Sequence, residues 1–328
     1  MKYIKLYFKY IRLSIMSKLS YKASSILGIC AFLLTEVASI ATLFLIVSTV
    51  PSLEGYTFYE IGILYAFVNM AIGIDHLFTD RLWTVAYHEV VRGKLDSVFL
   101  RPLPTLFQII ASEFQTEALG EILTSTCLII YCSFNITFNV TALNVIMIIF
   151  GILGASLSIT SFKIIISSLA FLIKRSGPLL QTVYNFSTYS KYPLKIYPKI
   201  IQIILTFIVP IGLCVFYPAN SLFNKETYSP LILVLIILIP LLFFSISVFI
   251  WNKCSHRYES SGSWFIKKQE TFRFYINIFV LYGWLDQKIY FSFIYIKRLV
   301  VFFAFETWNE ENCFFLFSKK FEIGTGNY

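Results

Sequence analysis

Charged residues are scarce in this sequence. Only 14% of its 328 residues are Asp, Glu, Lys or Arg, whereas a soluble domain carries about 25%. Apolar residues take their place, at 57% of the chain, and the mean hydropathy is +0.73. The shortage of charge excludes an ordinary soluble domain and predicts an all-α protein that crosses a lipid bilayer several times.

Motifs of catalysis are also missing. The chain has three histidines, in no H-E-x-x-H pattern, and it has no G-x-S-x-G, which argues against a hydrolase. A G-x-x-x-x-G-K-[ST] loop is absent too, so the chain cannot hydrolyse ATP by that loop. We therefore expect no enzyme activity and no cofactor. Any uphill transport would draw on an ion gradient or on another subunit.

Cysteines offer no framework for a disulfide or a metal site. None of the six forms a C-x-x-C pair or stands at a metal-ligand spacing from a histidine, so we interpret them as apolar filler and predict no metal. The first apolar run is too long for a signal peptide and is not followed by a cleavage site. It is expected to remain as a membrane span.

The basic residues that are present follow the pattern of membrane topology. The net charge of +9 comes from bases beside apolar spans, which favours cytoplasmic anchoring over binding of nucleic acid. In residues 1–24 the first four bases, Lys2, Lys5, Lys9 and Arg12, share one helical face, as in a helix on a membrane surface. A merely basic flank of the first span is the alternative. Both readings place the N-terminus in the cytoplasm.

Apolar runs near or above the ~20 residues needed to cross a bilayer predict five spans, and a sixth lies between 172 and 229. The five are at 25–50, 58–78, 106–133, 143–172 and 229–251. The loop 79–105 carries four bases, whereas the loops 51–57 and 134–142 carry none, which places 79–105 inside. The predicted domains are 1–24, an interfacial segment; 25–252, six transmembrane helices; and 253–328, a cytoplasmic tail that is aromatic-rich and unassigned from about 264.

The region 174–223 fits two topologies. In one, residues 200–220 form the fifth span and the lysines before them stay inside, as the distribution of charge favours. In the other, a shorter span at about 177–192 reaches the outside, and the following chain enters the membrane from that side and returns. Prolines favour this re-entrant path because they end or kink helices: Pro193, Pro198, Pro210 and Pro218.

Acidic residues within the apolar runs are candidates for a translocation path, because an intramembrane carboxylate costs at least about 2.5–3.5 kcal/mol. Glu36 lies in the first span, and Glu113, Glu117 and Glu121 are spaced four apart, which predicts one stripe along the third span. We hypothesise a route for a cationic or amphiphilic substrate. The alternative is that the first two acids of this stripe, Glu113 and Glu117, lie at the interface and pair with Arg or Lys.

Three segments together resemble the membrane subunits of ABC-2 type ABC transporters, in a group once catalogued only as an uncharacterised bacterial family. The first is "RGKLDSVFLRP" in the loop 79–105, which is similar to the family's R-x-G-x-L-D-x-x-L-x-[RK]-P type of motif. The second is the proline-punctuated stretch 190–223, and the third is the ending "FIWNKCSHRYESSGS" at 249–263. The matching residues here are Arg92, Gly93, Leu95, Asp96, Leu100, Arg101 and Pro102, with the arginine and the glycine adjacent.

The resemblance implies a permease subunit of an exporter in the cytoplasmic membrane of a bacterium. Two permeases, identical or paralogous, would bind a separate ABC ATPase, and a coupling helix at about Trp83 to Leu100 would contact it, with Arg92 and Asp96 as polar contacts. It also implies a re-entrant proline segment on the outside. The alternatives from the sequence are a non-transporting accessory or immunity protein and a gradient-driven carrier. The tail from 264 departs from the family.

Overall fold

The computed structural model describes residues 2–20, 22–48, 54–138, 140–225 and 228–259, and every regular element in those ranges is helical. The tail from about 264 lies outside the described residues, and the domain boundaries at 24 and 252 stay predictions. The α-helices are α1 Lys2–Ser20, α2 Lys22–Ser48, α3 Phe58–Thr79, α4 Arg81–Thr84, α5 Asp96–Phe99, α6 Thr105–Ser112, α7 Leu119–Ser133, α8 Ala142–Ile173, α9 Gly177–Thr188, α10 Lys199–Ile203, α11 Ile211–Leu222 and α12 Pro230–Ser255.

Four helices, α2, α3, α8 and α12, are long and apolar enough to cross a membrane, and a bent pair formed by 199–208 and 211–222 would make five. The four confirm the helices predicted at 25–50, 58–78, 143–172 and 229–251. Helix α3 is the centre of the bundle, since 78% of its apolar window is buried, against 6% for α2. It packs on α7 and α8, and α8 in turn packs on α11 and α12.

Local sequence explains where the long helices begin. Thr57 and Glu60 form a capping box at α3, in which the Thr57 N–H donates to Glu60 Oε2 at 2.7 Å and the Glu60 N–H donates to Thr57 Oγ1 at 3.4 Å. Thr141 caps α8, and Ser229 caps α12 immediately before Pro230.

The continuous helix predicted for the third span at 106–133 is wrong. The chain forms α6 and α7 with a break between them, where Glu113 is extended at φ −131° and ψ 131°. The break is stabilised by tertiary hydrogen bonds: the Phe114 N–H donates to Ser14 Oγ at 3.1 Å, and the Gln115 N–H donates to the Leu77 carbonyl at 3.1 Å. Contacts with α1 and α3 thus replace the hydrogen bonds that a continuous helix would make.

The proline-containing region is a series of short elements. Helix α9 is followed by two 3-10 turns, Tyr189–Lys191 and Leu194–Ile196, and then by α10, which continues as a π-helix at Ile204–Ile208. Helix α10 and the π-helix that continues it, residues 199–208, meet α11 at an angle of 102°. Pro193, Pro198 and Pro210 each stand directly before one of these elements, and Pro218 lies within α11.

Glycines allow α8 to approach its neighbours closely. A Cβ on Gly151 would lie 2.2 Å from the Cys214 carbonyl oxygen of α11, and one on Gly154 would lie 3.0 Å from the Ile236 carbonyl oxygen of α12. Both distances are below normal van der Waals contact with backbone. The packing of α8 on α11 and α12 therefore depends on the missing side chains.

Candidate functional site

The segment 81–104, which joins α3 to α6, is called the motif segment below. It starts with α4, continues as a π-helix at Val85–Glu89, turns at Gly93 and ends with α5. Gly93 has φ +65°, a conformation that glycine adopts at little cost. The Lys94 N–H closes this turn by donating to the Glu89 carbonyl at 3.1 Å. The predicted coupling helix at Trp83 to Leu100 is therefore a chain of short helices and turns.

One side of the motif segment is anchored in the protein interior. Val90, Leu95 and Val98 are buried in a hydrophobic cluster that includes Phe171 of α8 and Trp251 of α12. The Gln108 amide of α6 also donates to the carbonyls of Val98 and Leu103, at 3.1 and 2.8 Å. The segment is therefore held to α6, α8 and α12 by both packing and hydrogen bonds.

The other side of the motif segment is exposed. Leu100 has 86% of its surface exposed, and Arg92, Lys94, Arg101 and Pro102 are exposed as well. The exposed residues of this segment thus include three bases and one large apolar side chain. We call Arg92, Lys94, Leu100 and Arg101 the basic surface.

Asp96, by contrast, has a partner within the chain. Its Oδ1 accepts a hydrogen bond of 2.7 Å from the Tyr258 hydroxyl, just beyond α12. The Tyr258 ring stacks on Phe99, with centroids 4.7 Å apart and planes 12° apart. Burial, together with the interaction with Asp96, raises the pKa of Tyr258 above its usual value, so the phenol keeps its proton and acts as the donor. The motif "RGKLDSVFLRP" thus contacts Tyr258, which belongs to the ending quoted from the sequence.

A buried ion pair lies next to the motif segment. Lys163 Nζ of α8 is 2.5 Å from Asp75 Oδ2 of α3, and the two side chains are 1% and 0% exposed. Asp75 Oδ1 also accepts hydrogen bonds of 2.7 Å from the hydroxyls of Thr79 and Thr160. Lys163 lies 5.9 Å from the centre of the Trp83 ring. The sequence interpretation missed Lys163, although a single lysine within the apolar run 143–172 could have indicated it.

Three of the four glutamates predicted to line a path have different hydrogen-bond and ion-pair partners. Glu36 of α2 accepts a hydrogen bond from Asn69 of α3. Glu113 lies in the break, and Glu117 pairs with Lys18 of α1 at 2.6 Å. The single stripe on one helix is therefore wrong, because the helix that would carry it is interrupted.

Glu121, the last of these acids, contacts a histidine instead. Its two carboxylate oxygens are 3.1 and 3.2 Å from His76 Nδ1 of α3, and the His76 ring stacks on Tyr184 of α9 at 5.6 Å. Lys191 stands over the Tyr65 ring at 4.5 Å and interacts electrostatically with Glu36 and Glu121. The proline-containing region thus places a positive charge near two of the acids.

Within the described residues, no three His, Cys, Asp or Glu side chains are grouped so as to hold a metal ion.

Comparison with protein families gives a match over residues 33–262 to the ABC-2 family transporter proteins. The chain belongs to this family. The match includes α3 to α12 and the whole motif segment, and it begins within α2, so α1 lies outside it. A search of curated proteins gives no match. The ABC-2 chain is thus a membrane protein and a permease-like member of a transporter family, as its resemblance to that family predicts.

Proposed function

We propose that the chain is the permease subunit of an ATP-driven exporter, and that a separate ABC ATPase binds its basic surface. The observation that carries the proposal is the two-sided motif segment: its inner side is anchored on α6, α8 and α12, and its outer side is exposed. A segment that transmits force between subunits needs both a rigid attachment and an accessible contact. Family membership supports this role.

The basic surface also specifies the chemistry of the ATPase. Arg92, Lys94 and Arg101 favour a partner with carboxylates at the rim of its binding site, and Leu100 favours an apolar pocket between them. The complementary charges would accelerate encounter, and burial of Leu100 would contribute about 1.5–3 kcal/mol.

The proposed topology has six spans, with both termini in the cytoplasm of a bacterium and a second permease, identical or paralogous, beside the first. The bases of the motif segment support its cytoplasmic placement. The bend of 102° between 199–208 and α11 fits a re-entrant segment, and its entry from the outside follows from the resemblance to the family. The substrate is unidentified.

The test is co-purification of an ATPase with Walker motifs from membranes of the native host. We expect the wild-type chain to retain it and the double variant Arg92→Glu/Arg101→Glu to lose it by about tenfold or more, because two attractions become repulsions. The matched control is Lys5→Glu/Lys9→Glu, which reverses two exposed charges on α1. Equal recovery of the ATPase with the first pair and with wild type would contradict the proposal.

A further inference from the structure

Asp96 lies at the start of α5 and is part of the motif segment, but its hydrogen bond to Tyr258 ties it to the end of α12. Two interactions at the same place reinforce this bond. The Phe99 ring, one turn along α5, stacks on the Tyr258 ring at 4.7 Å, and Leu95 beside Asp96 is fully buried. The motif segment thus has a specific polar attachment besides its apolar packing.

Tyr258 is itself connected to two long helices. Its ring meets Phe171 of α8 edge-on at 5.8 Å, and Phe171 meets Trp251 of α12 edge-on at 5.0 Å. The Trp251 indole N–H donates to Thr105 Oγ1 at the start of α6, at 3.1 Å. We call Phe99, Phe171, Trp251 and Tyr258 the aromatic clamp. It joins α5, α6, α8 and α12 at one point.

The exposed basic surface and the contacts with Tyr258 are carried by the same short segment. Arg92, Leu100 and Arg101 are exposed, whereas Phe99 and Asp96 turn toward Tyr258. A partner that pushes on the exposed side would move α5. The hydrogen bond and the stacked ring would resist any slip between α5 and the end of α12, because both have defined directions.

We infer that the Asp96–Tyr258 hydrogen bond is a positioning contact that transmits movement of the docked ATPase to α8 and α12, rather than part of the surface that binds the ATPase. The inference rests on the proposed function. It assigns Tyr258 a role in coupling. Asp96 then contacts the rest of the permease, and not the ATPase as the resemblance had implied.

The test uses the permease–ATPase complex in proteoliposomes. Spin labels at Ser97→Cys, on the exposed side of α5, and at Phe249→Cys, on the exposed side of α12, report how far α12 follows α5 when ATP and vanadate are added. The six native cysteines are first replaced by alanine or serine. The ATPase retained per permease is measured in every sample.

Tyr258→Phe removes only the hydroxyl and keeps the stacked ring. We expect it to retain the ATPase at the wild-type ratio and to raise the population in which α12 fails to follow α5 by about tenfold, as expected for loss of a hydrogen bond to a charged group. Asp96→Ala should cause at least the same change, and the double variant should be no worse than Asp96→Ala alone, since Tyr258→Phe removes an interaction that Asp96→Ala also removes. Asp96→Asn, which keeps an acceptor oxygen, should retain most of the response.

Wild-type coupling in Tyr258→Phe, or additive effects of the two single variants, would overturn the inference while leaving the proposed function intact. If Asp96→Ala loses the ATPase and Tyr258→Phe retains it, Asp96 is part of the surface that binds the ATPase. This result would also overturn the inference. Failure of the wild-type chain to retain any ATPase would instead contradict the proposed function. If Asp96→Ala does not fold, Tyr258→Phe and Asp96→Asn still decide between these outcomes.

Discussion

Lys163 of α8 and Asp75 of α3 form an ion pair in which the charged atoms are 2.5 Å apart and both side chains are almost fully buried. The pair joins α3, at the centre of the bundle, to α8, on which α11 and α12 pack. The hydroxyls of Thr79 and Thr160 both donate to the other oxygen of the carboxylate, Oδ1. A buried charge whose partner is removed is among the most costly defects in a protein.

We therefore expect Lys163→Met and Asp75→Leu, each alone, to lower the free energy of unfolding by about 3–5 kcal/mol. The double variant Asp75→Leu/Lys163→Met should recover most of this loss, because the one carboxylate that then lacks Lys163, that of Asp80, lies 3.9 Å from Nζ and is 30% exposed. The measurement is unfolding of purified protein by titration with a denaturing detergent. Lys199→Met, at an exposed position of α10, serves as the control. A double variant as unstable as the sum of the singles would show that the pair is not what stabilises this contact.

Close packing at Gly151 provides a second prediction. Gly151→Ala would place a methyl group 2.2 Å from the Cys214 carbonyl oxygen, so α8 and α11 must separate. We expect a loss of stability of about 1–3 kcal/mol or more, as overpacking of a core usually causes. Gly120→Ala in α7 is the matched control, since its methyl group would lie 3.5 Å from Leu33. Similar thermal unfolding midpoints for the two variants in detergent would contradict the predicted contact.

The re-entrant path makes a prediction about access from outside the cell. In a chain without native cysteines, Lys195→Cys should react with an impermeant maleimide in intact cells. Ser97→Cys, in the motif segment, should react only after the cells are opened. Both positions are exposed in the structure, so a difference between them reports the side of the membrane. Labelling of Lys195→Cys only in opened cells would instead support a fifth span at 200–220.

The proposed route for cations can be tested at Glu36, Glu113, Glu117 and Glu121. If these acids line a path, the fourfold Glu→Gln variant should reduce transport of a lipophilic cation such as tetraphenylphosphonium by about tenfold or more, because it removes the negative charge that attracts the substrate. Glu54→Gln, at an exposed position outside the long helices, is the control. Unchanged transport in the fourfold variant would reduce these residues to structural contacts.

Glu117 offers a test that distinguishes a structural contact from a position on a cation path. Its pair with Lys18 joins α1 to the start of α7, and both side chains are partly buried. The exchange Lys18→Glu/Glu117→Lys should restore the stability lost in Glu117→Gln, an effect of up to about 1 kcal/mol. A structural contact would tolerate this exchange, whereas a cation path would not. Detergent unfolding and transport measured on the same protein distinguish the two roles.

Much of the fold was predictable because apolar runs long enough to cross a membrane can satisfy their backbone hydrogen bonds only as helices. Helices α2, α3, α8 and α12 lie where the sequence predicts them. The break at Glu113 was not predictable, because it depends on acceptors at Ser14 and Leu77 that are far away in the chain. A regular spacing of glutamates indicates a stripe only if the helix is continuous.

The sequence by itself determined that this protein lies in a membrane and which loop carries its basic motif, since composition and charge act locally along the chain. Its membership of the ABC-2 family is likewise evident from the sequence, over residues 33–262. Only the tertiary structure decided which charges meet. Lys163 reaches Asp75 across 88 positions of sequence, and Tyr258 reaches Asp96 across 162. Such pairs depend on how helices pack, because a buried charge is stabilised only by the partner that packing brings to it.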